Sequence, residues 1–424
     1  MFLSNNTKEV ISETQNSNFL HAFSYGFSAI IAQILMMFYT VIVARWLTSE
    51  YYGVLSACYA MASLASFAIN WGFDIWLLKE ASASRDPLLI TSSIIRVKLI
   101  LGIIWTIILW SLLQIIQPLL YVKDISFMVI VDIWCEACFT TLLVHFVVVK
   151  EVTSASKFLI LSRLLRLLSA VLLIAFNIYS LFNFSLFRLL STLTILVIVW
   201  STIKPKVISA NNITIKVLFK SSLPFTISEL INNLYIQCDV NILSIFLGNR
   251  KIIGNYSLAI NLINAILTLP YGIINVFIPN LIREKDTNPH RFYRLLWILY
   301  FISSSLGILI MIALWYFSDL IVNLFLGESY FETGRLLVLL CPIILIKCIN
   351  QVTIASIITV NLQSKRIMPQ VTSLGIKILS SLWIVPQWQQ TGLAILSIFS
   401  EGMLFLGYLL VTFRYKHKFG HLKY

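Results

Sequence analysis

The sequence predicts an all-α polytopic membrane protein, with about twelve transmembrane helices in two six-helix lobes. Three observations carry this. Apolar runs, each long enough to supply the about 20 residues that a spanning helix needs, fill the 424-residue chain almost end to end. Charged residues make up 12% of the chain and hydrophobic ones 59%, whereas soluble domains carry about 25% charged residues. Basic residues fall overwhelmingly on one side of the predicted membrane.

The elements follow in order. Residues 1–18 are polar and read as a cytoplasmic segment; the run after them is too long for a signal-peptide core and has no small-residue cleavage site. First-half spans are predicted at 19–44, 52–78, 94–119, 125–149, 158–179 and 181–203. A polar linker, 204–220, separates them from spans at 221–247, 252–281, 292–317, 332–360, 366–386 and 391–413, and a basic tail, 414–424, closes the chain. With a cytoplasmic N-terminus, about 23 Lys and Arg face inward and about six outward. Lys79, Lys98, Lys204, Arg283, Lys365 and Lys416 are among the first group; Arg45, Lys123, Arg188, Arg250, Lys251 and Arg335 form the second. Both termini are therefore expected in the cytoplasm. The net charge of +13, which in a soluble protein would suggest nucleic acid, is accounted for by the membrane, and no nucleic-acid partner is expected.

The six cysteines, Cys58, Cys135, Cys138, Cys238, Cys341 and Cys348, lie in apolar runs and read as small packing residues. Cys135-x-x-Cys138 has redox or metal spacing but no second pair or His cluster beside it, and no metal is expected. Pro270 with Gly272, Pro279 and Pro342 are expected to kink or break their helices. Tyr51, Tyr52, Trp110, Trp315, Tyr316 and Trp388 read as interfacial belts.

The halves repeat. Arg45-Trp-Leu-Thr-Ser-Glu-Tyr-Tyr-Gly53 follows the first span, and Ile245-Phe-Leu-Gly-Asn-Arg-Lys-Ile-Ile-Gly-Asn-Tyr256 follows the seventh. Each is an apolar helix end, a polar turn and a Gly opening the next helix, with an offset of about 200 residues. Asn70-Trp-Gly-Phe-Asp74, Lys79-Glu-Ala-Ser82, Asp239-x-x-x-Leu-Ser-Ile-Phe-Leu-Gly248, Gly254-Asn-Tyr-Ser-Leu-Ala259 and Leu326-Gly-Glu-Ser-Tyr330 extend the pattern. With the segment Ala44–Gly53, these resemble the MATE-like (multidrug/oligosaccharidyl-lipid/polysaccharide) exporter superfamily, specifically Wzx-type O-antigen and capsule flippases, over nearly the whole chain. The resemblance implies two lobes forming a V-shaped bundle, no cofactor and no catalytic residue. It also implies movement of an undecaprenyl-diphosphate-linked oligosaccharide from the cytoplasmic to the periplasmic leaflet of the bacterial inner membrane. Polysaccharide polymerase machinery is an expected neighbour.

A diphosphate cannot cross hydrocarbon unpaired, so this task needs cations in a water-filled cleft, while the lipid tail can stay in the bilayer through a lateral gap. Intramembrane charges are the candidates. Arg163, Arg166, Arg188, Lys347 and Lys377 are proposed for the diphosphate and sugar; Asp74, Glu229 and Asp239 are candidates for coupling to H+ or Na+. Each has a second reading. Lys347 or Lys377 can pair with Glu401 or Glu229 to hold the second lobe together. Arg163 and Arg166, three residues apart and so on one helix face, can snorkel to headgroups. Asp132 and Glu136 can form a solvated outer edge; His145 can be a packing histidine; Asp74 can make a capping contact.

Other classes fit less well. A membrane glycosyltransferase or polymerase would need a large outer loop, and the longest here, 318–331, is short. No nucleotide-phosphate loop, zinc cluster or Ser-His-Asp constellation is evident. A cation-coupled drug or small-solute exporter of the same fold is the main alternative.

Overall fold

In the computed structural model the described residues are 3–80, 86–117, 119–205, 215–360 and 362–415, with side chains described from Tyr25 onward at all but a few positions. Residues 206–214 of the expected linker and 416–424 of the basic tail lie outside them. The described chain is helical: α1 (Leu3–Ala65), α2 (Phe67–Asn70), α3 (Phe73–Glu80), α4 (Pro87–Ile116), α5 (Lys123–Val148), α6 (Val152–Ala175), α7 (Leu181–Ile203), α8 (Ile215–Phe246), α9 (Arg250–Thr287), α10 (Pro289–Phe325), α11 (Phe331–Leu340), α12 (Pro342–Thr359) and α13 (Ile367–Arg414).

Local chemistry sets the boundaries. Asp86 accepts from Leu89 N–H ahead of α4, Ser180 from Asn183 N–H ahead of α7, and Asn288 from Arg291 N–H ahead of α10. Each satisfies a donor that the first helical turn leaves without a partner. Pro87 and Pro289 occupy first-turn positions, where a missing N–H costs nothing. After α8 and α10 the chain turns at Gly248 (φ 59°) and Gly327 (φ 89°), the left-handed region that glycine enters without a Cβ penalty.

Among the described residues nine helical stretches are long and apolar enough to cross a membrane, fewer than the separate spans expected. Two expected pairs run together. Tyr25–Asn70 holds 46 residues and Gln363–Arg414 holds 52, each ample for two crossings. Their backbones leave helical geometry at Thr48 (φ 54°, ψ 161°) and Gln389 (φ 47°, ψ −131°), so each stretch is two helices joined across a sharp turn, in the gaps expected at 45–51 and 387–390. Pro342 separates α11 from α12, whereas α9 runs on through Pro270 without a break.

The interhelical turns gather at two ends. At one, Arg45 Nη1 donates to Leu324 O (2.8 Å), Tyr330 Oη to Ala44 O (2.8 Å) and Gln117 Nε2 to Ile245 O (3.2 Å), while Arg250 donates to Leu119 O. The two repeated turns meet here reciprocally. A Cβ on Gly53 would lie 1.8 Å from Arg250 O, and one on Gly254 would lie 1.9 Å from Ser49 O. The two contacts are the same contact seen from either repeat, a pseudo-twofold seam closed to backbone distance. If this is the outer end, as the charge distribution predicts, a Ser329→Cys variant in intact cells should react with an impermeant thiol reagent and Thr287→Cys should not.

α1 packs along α6 and α9, α4–α7 pack among themselves, and α8–α13 form the other group. One apolar core spans both groups, from Tyr39 and Val43 through Ile253 and Leu337. Tyr51, Trp315, Tyr316 and Trp388 are exposed as belt residues should be, but Tyr52 is buried and turned inward.

Candidate functional site

Beyond the seam, between the two groups of helices, lies a cavity of about 260 Å³. α1 lines it with Tyr39, Tyr52, Ser56 and Tyr59, α8 with Gln237, α9 with Asn261 and Asn264, and α7 with Arg188. These positions follow from helical spacing: Tyr52, Ser56, Tyr59 and Ser63 fall three or four apart and share one face. Asn261 Nδ2 donates to Tyr52 Oη (3.1 Å), and Asn241 Nδ2 to Ala60 O (3.2 Å), tying α9 and α8 to α1.

Arg188 is the cation of this wall. Its Nε donates to Asp132 Oδ2 at 3.0 Å, and its guanidinium carbon sits 3.8 Å from the Tyr59 ring centre and 5.7 Å from that of Tyr39. Stacking on aromatic faces holds the charge without neutralising it. Behind it runs a buried network. Asp132, fully buried, also accepts from Tyr59 Oη (2.9 Å) and Thr192 Oγ1 (2.5 Å). Arg166 Nη2 lies 3.8 Å from Asp132 and 3.1 Å from Glu136, and Arg163 Nη1 lies 3.0 Å from the other Glu136 oxygen. Three guanidiniums face two carboxylates, so the cluster carries one excess positive charge. Arg166 Nε and Nη1 are buried and have no hydrogen-bond partner.

Two expectations are corrected here. Arg166 is 2% exposed and does not snorkel, because Glu136 one helix away offers a shorter route to a counter-charge than the headgroups. Asp132 is no solvated edge; it is the most enclosed member of the cluster.

The remaining predicted residues divide. Lys347 Nζ reaches Asn264 Oδ1 (3.3 Å) on the cavity wall and lies 3.8 Å from Glu401. Lys377 pairs with Asp239, whose other oxygen accepts from Tyr256 Oη and Ser397 Oγ at 2.9 Å each. Asp74 pairs with Lys98 (2.9 Å) and accepts from Thr141 Oγ1 (2.7 Å). Glu229 accepts from Gly72 N–H (3.1 Å), closing α8 onto the break between α2 and α3 at the end opposite the seam. His145 Nδ1 lies 2.9 Å from Thr91 Oγ1. Lys98, counted from sequence among the inward-facing basic residues at the start of the span expected at 94–119, is fully buried: α4 starts at Pro87, which places Lys98 about three turns into the helix.

The Asp239–Lys377 pair gives a measurable outcome. Asp239→Asn should leave the buried ammonium uncompensated and cost about 3–5 kcal/mol of folded stability. Adding Lys377→Met should restore part of it, read as folded yield in a double-mutant cycle. A single variant as stable as the parent would show the pair to be solvated.

A family model described as polysaccharide biosynthesis protein matches residues 21–285. No curated protein matches the chain in sequence. Among solved structures, the chain is similar to a multidrug resistance MATE family transporter of the MOP superfamily in its inward-facing conformation. That match has a TM-score of 0.72 at 12% identity and covers 92% of this chain and 98% of that one. An outward-facing MATE family transporter gives 0.63 at 11% identity, over 94% and 96%. The lipid II flippase MurJ in an inward closed conformation gives 0.69 at 14%, over 93% and 88%. At such identities the likeness establishes the fold, a MATE-like helical bundle.

Proposed function

Because the chain belongs to the polysaccharide biosynthesis protein family, we propose that it is a Wzx-type flippase of the inner membrane, moving undecaprenyl-diphosphate-linked oligosaccharide between leaflets. The observation that carries this reading is Arg188: an aromatic-stacked guanidinium on the wall of the cavity between the halves, at the end of a cluster with one uncompensated positive charge. A diphosphate supplies the missing negative charge, and guanidinium geometry suits its oxygens. Tyr52, Asn261 and Asn264 offer the neutral donors and acceptors that sugar hydroxyls need.

The cavity, about 260 Å³, lies below the usual range of ligand sites, about 300–1,000 Å³. It must widen to load an oligosaccharide. Parting Glu229 from Gly72 would admit the head at one end, and parting the Gly53–Gly254 seam would release it at the other. Both termini are taken as cytoplasmic, which makes the seam periplasmic. A proton or sodium gradient is the proposed energy source, with Asp74, Glu229 and Asp239 as candidate coupling groups; each is now bound in a pair or hydrogen bond that ion binding would have to compete with.

In reconstituted vesicles carrying the lipid-linked oligosaccharide in one leaflet, the wild-type chain should expose it to an impermeant glycosidase on the other side. Arg188→Lys, which keeps the charge but loses the planar fork, should slow this by about tenfold. Exposure no faster than in protein-free vesicles removes the reading, and gradient-driven movement of a cationic drug in its place favours an exporter.

A further inference from the structure

In the second half of the chain, α10, α12 and α13 leave a groove of about 330 Å³ between them. Tyr293, Trp297 and Tyr300 of α10 line it, with Ser356 of α12 and Phe413 of α13. Trp297 and Phe413 are 73% and 70% exposed, so the groove faces the bilayer and not the cavity between the halves. It lies along the first turns of α10 and the last turn of α13, at the end opposite the seam. Tyr293, Trp297 and Tyr300 fall three or four residues apart and share one helix face, and Arg294 stands one turn before Trp297. Cations gather at this mouth. Arg291, Arg294 and Arg414, the last directly after Phe413, are exposed. Lys365, in the turn before α13, lies 5.9 Å from the Tyr415 ring centre. The nearby Glu284 carboxylate is shared by Arg283 (3.3 Å) and Arg291 (3.7 Å), so it offsets one charge of several.

We propose that this groove binds an anionic phospholipid of the cytoplasmic leaflet, with an acyl chain on the aromatic wall and the phosphate between Arg294 and Arg414. A gap between membrane helices leaves its walls without packing contacts, and an acyl chain supplies them. Any lipid could do that much. Charge selects among them: basic pockets between helices on the cytoplasmic side attract anionic heads, each cation adding to the attraction. Guanidiniums also match phosphate oxygens in geometry. Trp297 and Tyr293 sit at the depth where amphipathic rings meet headgroups. All three helices belong to the second half, so the site does not depend on how the halves part. It is therefore independent of the substrate and of the flippase reading.

The probe is phosphatidylglycerol carrying a diazirine in the upper half of one acyl chain, photolysed with the full-length protein in phosphatidylcholine nanodiscs. Label should fall on the 293–300 and 409–415 segments. Unlabelled phosphatidylglycerol should displace it, and further phosphatidylcholine should not. Arg294→Gln with Arg414→Gln, both at exposed positions, should weaken the competition by about thirtyfold, or about fivefold for each charge removed. Arg335→Gln, exposed near the seam end, should leave it unchanged. Equal displacement by phosphatidylcholine, or label unaltered in the double variant, would mean that bulk lipid fills the groove and would overturn the proposal. Displacement by undecaprenyl diphosphate at far lower concentration than by phosphatidylglycerol would assign the groove to the carrier lipid instead. Saturable label confined to other segments would also overturn it.

Discussion

Asp132→Asn should be the most damaging single change in the first half of the chain. Asp132 has no exposure and accepts from Tyr59, Thr192 and Arg188 while facing Arg166 at 3.8 Å. An amide of the same shape removes one of two negative charges and leaves three guanidiniums around Glu136 alone. Uncompensated buried charge typically costs about 3–5 kcal/mol, and a bilayer offers no water to relieve it. Folded yield should fall sharply. Arg166→Met on the same background should recover part of it, because it removes the deeper of the stranded charges. Arg188→Met should also relieve the repulsion but abolish flipping. A Asp132→Asn variant with parental yield and flipping would show that the cluster is hydrated and not a balanced network.

Gly254→Ala should open the seam. The added methyl would lie 1.9 Å from Ser49 O, a backbone atom that cannot rotate away. Overpacking of this kind costs about 1–3 kcal/mol, occasionally more, and it acts only on the conformation in which the seam is closed. The population should therefore move about tenfold or further toward the seam-open state. Spin labels at Tyr51→Cys and Lys251→Cys, both exposed beside the seam, would report a longer distance. Gly53→Ala should do the same, since its Cβ meets Arg250 O at 1.8 Å. An unchanged distance distribution in both variants would mean that the halves are not held by this contact.

Much of the architecture was legible in the sequence. Long apolar runs can only be helices in a bilayer, because every backbone group must be satisfied internally, and the Arg45–Gly53 and Ile245–Tyr256 repeat marked two equivalent turns, although nothing in it said that they would meet. The gaps left at 45–51 and 387–390 are where the backbone leaves helical geometry, at Thr48 and Gln389. The site was half legible. Intramembrane charge pointed to Arg188 and Lys347, yet Arg166 and Lys377 gave the same signal and proved to be bound inside the bundle, since sequence does not say which face of a helix meets a partner. The neutral half of the cavity, Tyr59, Asn261 and Asn264, carried a detectable signal in its three- and four-residue spacing. It was overshadowed by charge. Lys98 was counted with the inward-facing charges because the helix was expected to start at 94 rather than at Pro87, which sets Lys98 deeper in the bundle.

On the proposed flippase reading, the head crosses between the halves when the Gly53–Gly254 seam parts. Glu50 and Arg250 face each other across it, 3.6 Å apart, and all six native cysteines are buried. A Glu50→Cys/Arg250→Cys variant can therefore be joined by a short reducible cross-linker and reconstituted with the lipid-linked oligosaccharide in one leaflet. Flipping should stop while the link is intact and return on reduction. Equal flipping rates in the linked and reduced protein would contradict passage through the seam.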